Sequence, residues 1–238
     1  MTSFDKYGLH EDLIKSIATL EFKIPTLIQD KVIPEILSSK MDIIATAQTG
    51  TGKTAAFGLP LIHLTNNKIK MIEAIILCPT RELCIQITKD LNSYSQYFNN
   101  YKVVSIYGGS RVDIQLRALK TNPKIIVCTP GRLNDLIKRK KINLDYIKYF
   151  VLDEADEMLS MGFKEEIDTI IDKTPTDKNI YLFSATISKK VQEISKEYME
   201  NPIRISAAVE NSAPDDVKHI YYIVDKASRY KAIKRILD

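Results

Sequence analysis

The stretch from residue 47 to residue 54 constrains the fold of this chain more than any other part of the sequence. It follows a short apolar run, 42–46, and precedes a helical pattern of apolar residues. A glycine-rich loop between a strand and a helix leaves backbone N–H groups free to bind an anion, and the helix dipole adds to the attraction. The loop consists of Ala47, Gln48, Thr49, Gly50, Thr51, Gly52, Lys53 and Thr54.

The same loop predicts a nucleoside triphosphate as the ligand. Lys53 is placed to reach the β- and γ-phosphates, and the Thr54 hydroxyl is placed to bind Mg²⁺. Ala47 stands where the usual pattern has its first glycine, and alanine fits there if the backbone φ is negative. The alternative is a glycine- and threonine-rich turn that happens to precede a lysine. The flanking strand and helix favour the phosphate loop.

Length and composition indicate a globular, reduced protein. The chain of 238 residues can form one large domain, or one domain and part of another, and its 45% hydrophobic content suits a packed core. The N-terminus is polar, and no apolar run approaches the roughly 20 residues that span a bilayer, so we expect no membrane association. Cys78, Cys84 and Cys128 lack metal-type spacing, which favours a cytoplasmic location with free thiols.

The charge of the chain permits nucleic-acid binding without establishing it. The formal net charge is +4, too small to identify a polyanionic partner by itself. A basic run at 138–141 could attract phosphates. It could also be the solvated end of a helix, where positive charge complements the dipole, and we favour this second interpretation.

Seven apolar runs alternate with helical patterns along the chain. Because these runs are continuous, the strands are predicted to be buried on both faces, as in a parallel sheet. We therefore expect an α/β fold with a doubly wound, mostly parallel sheet flanked by helices, and ligands at the carboxyl ends of its strands. The predicted strands are 43–46, 74–78, 103–107, 125–128, 149–152, 180–183 and 203–205. The predicted helices include 27–37, 54–65, 81–98, 111–119, 163–171 and 188–199.

Polar or conformationally special residues follow six of the predicted strands, which indicates a shared active edge. After the strand at 149–152, Asp153 is placed to be a second Mg²⁺ anchor through water, and Glu154 to orient or activate an attacking water. Asp156 is placed to bridge to neighbouring segments. The alternative for these acids is an ordinary acidic helix N-terminus, which explains their charge but not their position at a strand end.

Six short motifs in this order resemble those of the first RecA-like domain of a DEAD-box ATP-dependent RNA helicase. They lie at 47–54, 79–82, 108–109, 129–132, 153–156 and 184–186, and the stretch 153–163 is closer to bacterial members. The resemblance covers roughly residues 3–206. It implies a RecA-like ATP-binding P-loop domain at 1–206 with an adenine-reading segment at 2–30, a linker at 207–218, and the start of a truncated second RecA-like domain at 219–238.

The family's adenine-reading segment corresponds here to Phe4, Phe22, Thr26 and Gln29. A glutamine amide can donate and accept together, which suits the adenine amino group and its neighbouring ring nitrogen, and an aromatic ring can stack on the base. The alternative makes Gln29 a surface helix residue and Phe4 a core residue. Glu21 stands where the family usually has glycine, which weakens the expected turn geometry there.

In the family, three of the motifs contact the RNA backbone. The residues implied here are Pro79, Thr80, Arg81, Gly108, Gly109, Thr129, Pro130, Gly131 and Arg132. Arginines, hydroxyls and helix N-termini suit phosphates and read no base, so sequence-independent binding of single-stranded or duplex RNA is expected. Alternatively, Arg81 and Glu82 form a structural ion pair; we assign Glu82 to structure, Arg132 to RNA, and leave Arg111 undecided.

The resemblance implies that Asp156 and the motif at 184–186 couple ATP hydrolysis to strand separation. Hydroxyls of Ser184 and Thr186 can hydrogen-bond the acids at 153–156; the competing view is a plain helix N-cap at either residue, and both roles can hold together. ATP, Mg²⁺, RNA and a second RecA-like domain in cis are the implied ligands and partners. Because the family's arginine fingers come from that second domain, this chain alone is expected to bind ATP or ADP weakly, hydrolyse ATP poorly and not unwind RNA.

Two other function classes compete with an RNA helicase domain. One is a DNA-directed translocase of the same broad class. The other is a binding module that keeps the fold without catalysis, which the presence of Lys53, Thr54, Asp153 and Glu154 disfavours.

Overall fold

The structure, a computed structural model, describes residues 4–66, 69–207 and 220–237. The chain divides into two compact units, Met1–Ala208 and Val209–Asp238. Residues 2–3 of the predicted adenine-reading segment lie outside the described residues, as do 208–218 of the predicted linker and both ends of the predicted second domain.

The first unit contains a seven-stranded sheet in which every pair of neighbouring strands is parallel. The spatial order is β3-β4-β2-β5-β6-β1-β7, and the predicted doubly wound α/β class is confirmed. The strands are β1 Ile43–Thr46, β2 Ala74–Leu77, β3 Val103–Ile106, β4 Ile125–Cys128, β5 Tyr149–Leu152, β6 Asn179–Ser184 and β7 Ile203–Ser206.

Helices connect the strands and cover both faces of the sheet. After a 3₁₀ turn at Asp5–Tyr7, the helices are α1 Glu11–Thr19, α2 Leu27–Ser38, α3 Lys53–Thr65, α4 Arg81–Tyr94, α5 Val112–Leu119, α6 Pro130–Lys138, α7 Ala155–Ser160, α8 Lys164–Asp172 and α9 Lys189–Tyr198. Sequence reasoning did not predict α1, and α4 ends four residues before the predicted position.

The core has two layers because successive strand residues point to opposite faces. In β2, Ile76 packs into the layer formed with α1 to α4, whereas Ile75 packs into the layer formed with α6 to α9. Both faces are fully buried in the central strands, which explains why their sequences are continuously apolar. The carboxyl edge of the sheet is left as the place where polar residues can collect.

The second unit, in its described residues 220–237, contains one helix, α10 Arg229–Leu237. The strand predicted at 219–224 is not formed over 220–224, and His219 lies outside the described residues. Neither unit has, among its described residues, a helix long and apolar enough to cross a bilayer.

Candidate functional site

The order of the strands sorts the predicted motifs along the carboxyl edge of the sheet. The three segments predicted to contact RNA follow β3, β4 and β2, which are neighbours in one half of the sheet. The acidic segment follows β5 at the centre, the Ser-Ala-Thr segment follows β6, and the predicted phosphate loop follows β1. The acids therefore lie between the two predicted binding regions.

The predicted phosphate loop has the backbone geometry that its sequence requires. Gly50 and Gly52 have φ of 83° and 91°, in the left-handed region that glycine enters without strain. Ala47 is not among the residues with positive φ, so alanine is tolerated at the first glycine position. Its N–H donates to the carbonyl of Ser184 at 3.1 Å, which joins the loop to the end of β6.

Gln29 links the predicted adenine-reading segment to this loop. It is only 5% exposed, which contradicts the surface alternative. Its Oε1 accepts from the N–H of Thr26 at 3.0 Å, and its Nε2 donates to the carbonyl of Gly52 at 3.1 Å. A Cβ on Gly52 would lie 2.4 Å from that Nε2, so the glycine also makes room for the amide.

Phe4 occupies a core position. Its ring is 0% exposed and packs against Tyr7 and Phe22, with centroids 6.0 and 6.4 Å away. No face of the ring is open to a base, so the predicted stacking is corrected to the alternative, a core residue. Glu21 has φ of 58°, a left-handed conformation that explains why the family usually has glycine at this turn. For glutamate this conformation costs about 1 kcal/mol of strain.

Lys53 is the most unusual group at the edge. The residue is 7% exposed, and its Nζ is a buried atom without a hydrogen-bond partner in the described part of the chain. A buried ammonium normally has partners, because desolvation of an unpaired charge is costly. This position at the first residue of α3 leaves the ammonium available to the oxygens of a bound anion.

The acids after β5 have two different environments. Asp153 is 3% exposed, and burial raises its pKa to about 6 against the opposing attraction of Lys53. Its Oδ1 accepts from the N–H of Glu154 at 3.1 Å. Glu154 is half-buried with φ of 53° and ψ of 49°, a left-handed conformation that is strained for glutamate and typical of functional sites.

Asp153→Asn is expected to raise the unfolding temperature near neutral pH. The folded-state pKa lies above the ordinary 3.8, so the folded state binds this proton more tightly than the unfolded state. The free energy of unfolding therefore falls as pH rises between about 4 and 6, by roughly 2–3 kcal/mol. Thermal unfolding at several pH values should give a stabilisation near pH 7.5 that vanishes near pH 4.

Asp156→Asn is the matched control with the opposite sign. Burial acts to raise the pKa of Asp156, but hydrogen bonds from Thr186 and Ser184 lower it below its ordinary value. Its contribution to stability is present at neutral pH and is lost as pH falls, so this variant should be less stable near neutrality. Equal effects of the two substitutions at every pH would contradict the assigned environments.

Asp156 joins the acidic segment to the segment after β6. Its Oδ2 accepts from the N–H of Thr186 at 3.0 Å and from the Thr186 hydroxyl at 2.8 Å. Ser184 donates its hydroxyl to the Thr186 carbonyl at 2.7 Å. Neither Ser184 nor Thr186 is the N-cap of α9, since Ser188 accepts from Val191 there; the N-cap alternative is wrong.

The oxygen ligands at this edge can hold Mg²⁺ only if phosphate or water oxygens complete its coordination shell. Thr54 is half-buried in the first turn of α3, and Asp153 presents a buried carboxylate. Among the described residues, no group of three or more His, Cys, Asp or Glu side chains is arranged to hold a metal alone. Mg²⁺ commonly takes one or two protein ligands and completes its shell with phosphate oxygens and water.

In the half of the edge formed by β3, β4 and β2, Arg81 makes no ion pair with Glu82 within the described residues. Its guanidinium instead lies over the ring of Tyr107, 5.1 Å from the centroid. The Thr80 hydroxyl accepts from the N–H of Leu83 at 3.2 Å as the N-cap of α4. The structural ion-pair alternative for Arg81 is therefore wrong.

The other residues predicted to contact RNA lie at the carboxyl ends of β2, β3 and β4. Gly108 and Gly109 are exposed in the turn after β3, with φ of 76° at Gly109. Pro79, Thr129, Pro130 and Gly131 lie where β2 and β4 pass into α4 and α6. Arg111, left undecided from sequence, donates to both carboxylate oxygens of Asp113 at 3.1 and 3.0 Å.

Arg132 has internal partners. Both terminal nitrogens donate to the carbonyl of Ser110 at 3.2 Å, and Nη1 also donates to Oε1 of Gln115 at 3.1 Å. Sequence reasoning missed Gln115 altogether. A signal existed, because Val112, Gln115, Leu116 and Leu119 form one helical stripe in which glutamine takes an apolar position.

The basic run at 138–141 has the structure of a helix end. Lys138 is the last residue of α6, and Arg139 donates to Asp135 at 2.7 Å. All four basic side chains are exposed, in agreement with the favoured interpretation of a solvated terminus.

Comparison with known proteins gives consistent matches. The model of the DEAD/DEAH box helicase family matches residues 26–194. The ATP-dependent RNA helicase CshA of Listeria monocytogenes is 42% identical over 238 residues, covering 100% of this chain and 45% of that protein. The DEAD-box ATP-dependent RNA helicase RhpA of Helicobacter pylori is 42% identical over 237 residues, covering 99% of this chain and 47% of that protein.

A solved structure is also similar. The crystal structure of a DEAD box protein from Methanococcus jannaschii matches with a TM-score of 0.82 at 41% sequence identity, covering 100% of this chain and 63% of that one. The chain spans about half the length of the curated relatives it matches.

Proposed function

The chain belongs to the DEAD/DEAH box helicase family, and on that premise we propose that it binds ATP and couples ATP hydrolysis to sequence-independent RNA binding and local unwinding of duplexes. The buried ammonium of Lys53, which has no hydrogen-bond partner among the described residues, carries the nucleotide part of the proposal. A buried ammonium that makes no hydrogen bond to the described residues, in a phosphate-loop sequence, is explained by an anionic ligand that accepts its hydrogen bonds.

The base of the nucleotide is proposed to be adenine. Gln29 uses one hydrogen of its amide for Gly52 and one lone pair for Thr26. A primary amide has a second hydrogen and a second lone pair, which can pair with the adenine amino group and the adjacent ring nitrogen. Because the same amide holds the loop carbonyl, base recognition is proposed to be linked to the loop that binds the phosphates.

The acids supply the hydrolytic chemistry in this proposal. Glu154 orients the attacking water and accepts its proton, and its strained backbone holds the carboxylate at the central position of the edge. Thr54 and Asp153 would hold Mg²⁺, which would supply neutralisation of phosphate charge. Lys53 lies beside Asp153 and keeps this carboxyl group closer to its ionised form.

The RNA surface is proposed to be the opposite half of the edge. Arg81, the Gly108–Gly109 turn and the N-terminus of α6 present cationic and N–H donors there, all of which suit phosphates. Asp156, Ser184 and Thr186 are proposed to transmit the state of the nucleotide. The Ala47 N–H bonded to the Ser184 carbonyl continues this connection into the phosphate loop.

A second domain in cis is the proposed partner that completes the active site. This chain matches relatives about twice its length, and an arginine supplied from another domain is worth on the order of 10³ or more in rate in related hydrolases. We further propose a cytoplasmic location, which the three buried free thiols support.

The nucleotide part is tested by titrating the chain with a fluorescent ADP analogue and displacing the analogue with ATP or GTP. We expect ATP to displace it and GTP to do so at least about tenfold less well, because a guanine oxygen would face the Gln29 acceptor. Equal displacement by ATP and GTP would contradict adenine recognition.

The RNA part is tested by anisotropy at low salt with labelled oligouridylate and with oligothymidylate of the same length. Stronger binding of RNA, with equal competition by RNAs of unrelated sequence, is expected because contacts to the backbone and 2′-hydroxyl carry no sequence information. Equal or stronger binding of DNA would favour the translocase alternative. Normal nucleotide binding without any response to nucleic acid would favour a binding module.

A further inference from the structure

Gln115 is a buried amide on α5, next to the surface proposed to bind RNA. It is 4% exposed, whereas most buried positions on helices facing a core are apolar. Its Nε2 donates to the carbonyl of Tyr107 at 2.9 Å and to the hydroxyl of Ser110 at 3.1 Å. Two donor contacts from one side chain therefore join both ends of the turn at 107–110 to α5.

The acceptor side of the same amide holds an arginine. Oε1 of Gln115 accepts from Nη1 of Arg132 at 3.1 Å, and Arg132 also donates to the carbonyl of Ser110. Among the side chains, only glutamine and asparagine combine two N–H donors with a carbonyl acceptor. A carboxylate, an aliphatic chain or a hydroxyl at this position could not make all three contacts at neutral pH.

The turn fixed in this way lies beneath Arg81. The guanidinium of Arg81 lies over the Tyr107 ring, and its Nη1 is 3.7 Å from where a Cβ of Gly109 would be. The position of this arginine thus depends on the position of Tyr107. The amide of Gln115 holds the Tyr107 carbonyl, and its effect can extend to an exposed cation that it does not contact.

We propose that Gln115 is a positioning residue for RNA binding: it fixes the turn at 107–110 so that Arg81, Arg132 and the exposed Gly108–Gly109 backbone form one surface for RNA phosphates. The inference rests on the proposed function, because it assigns how the RNA surface of that function is assembled. Gln115 itself is buried and acts through its neighbours.

Gln115→Met tests the proposal because it keeps the length of the side chain and removes the two donors and the acceptor. RNA affinity of the 238-residue chain is measured by anisotropy with labelled oligouridylate, and nucleotide affinity with a fluorescent ADP analogue. RNA affinity should fall about tenfold, while nucleotide affinity changes less than about twofold. Gln96→Met, at an exposed glutamine beyond α4, is the matched control and should change neither.

A double-mutant cycle with Arg81→Ala distinguishes positioning from a general loss of structure. Each single variant should weaken RNA binding about tenfold, and the double variant should lose clearly less than the about 100-fold expected of independent effects, because both substitutions disturb the contact that Arg81 makes. The dependence of affinity on salt should become shallower in all three variants, since each binds fewer phosphates. Additive losses of about 100-fold in the double variant would overturn the proposal.

Gln115→Glu keeps the inference testable if the methionine variant fails to fold. It retains an acceptor for Arg132 and loses the donors to Tyr107 and Ser110, so RNA affinity should still fall. Undiminished RNA binding by either variant that folds would overturn the proposed role of Gln115 and leave the proposed function standing. A wild-type chain that binds the nucleotide but no RNA would overturn the proposed function, and this inference with it.

Discussion

Lys53→Met should lower the affinity for ATP and ADP by at least about 100-fold, since two or more charge-assisted hydrogen bonds to phosphate are lost. The Nζ of Lys53 has no hydrogen-bond partner among the described residues, so the substitution breaks no internal hydrogen bond. The unfolding temperature without nucleotide should change by only a few degrees. Calorimetric titration and thermal unfolding, with and without nucleotide, measure the two effects.

An exposed lysine supplies the control for this prediction. Lys89→Met on α4 removes the same charge from a solvated position and should leave nucleotide affinity unchanged. Retained affinity in Lys53→Met would remove the main support for the phosphate site. A large loss of stability in the nucleotide-free variant would instead mean that the ammonium has a structural role.

Glu154→Gln should reduce RNA-stimulated turnover of the full-length protein by at least about 100-fold, the usual range for loss of a general base. The amide has nearly the same shape and can keep the strained backbone conformation, but it cannot accept a proton from water. Nucleotide and RNA affinities should stay within about threefold. Steady-state ATPase assays with saturating RNA, together with equilibrium titrations, separate the two effects.

Glu157→Gln is the matched control, since Glu157 is an exposed acid of the same helix start. Its turnover should equal that of the wild type. Unchanged turnover in Glu154→Gln would refute the assignment of Glu154. A parallel loss of turnover and nucleotide affinity would indicate that the carboxylate positions the nucleotide and not the water.

The central strands could be predicted from sequence because they are short, apolar runs that end at a polar or turn-forming group. The run at 149–152 and Asp153 are an example, and both appear where expected. The order of the strands could not be predicted in this way. β2 lies between β4 and β5, and this pairing depends on how whole helices pack on both faces of the sheet.

The phosphate loop could be predicted because glycines in the sequence specify its backbone geometry. The hydrogen-bond and packing partners of individual side chains could not be predicted in the same way. Gly50 and Gly52 indicate a loop whose backbone enters the left-handed region of φ. Nothing local reveals that Phe4 is enclosed by other rings, or that Arg132 donates to Ser110, since both depend on residues brought together by the fold. The sequence shows only the types of these residues, and each type is compatible with more than one role.

The three strands beside the proposed RNA surface come from one uninterrupted stretch of chain, 74–128, whereas the other four strands come from both sides of it. The chain thus leaves the half of the sheet that contains the proposed nucleotide site once and returns to it once. Two crossover points, before β2 and before β5, are enough to exchange the whole half that contains the proposed RNA surface between homologues. Recombination at these points would change the proposed RNA surface and leave the proposed nucleotide site unchanged.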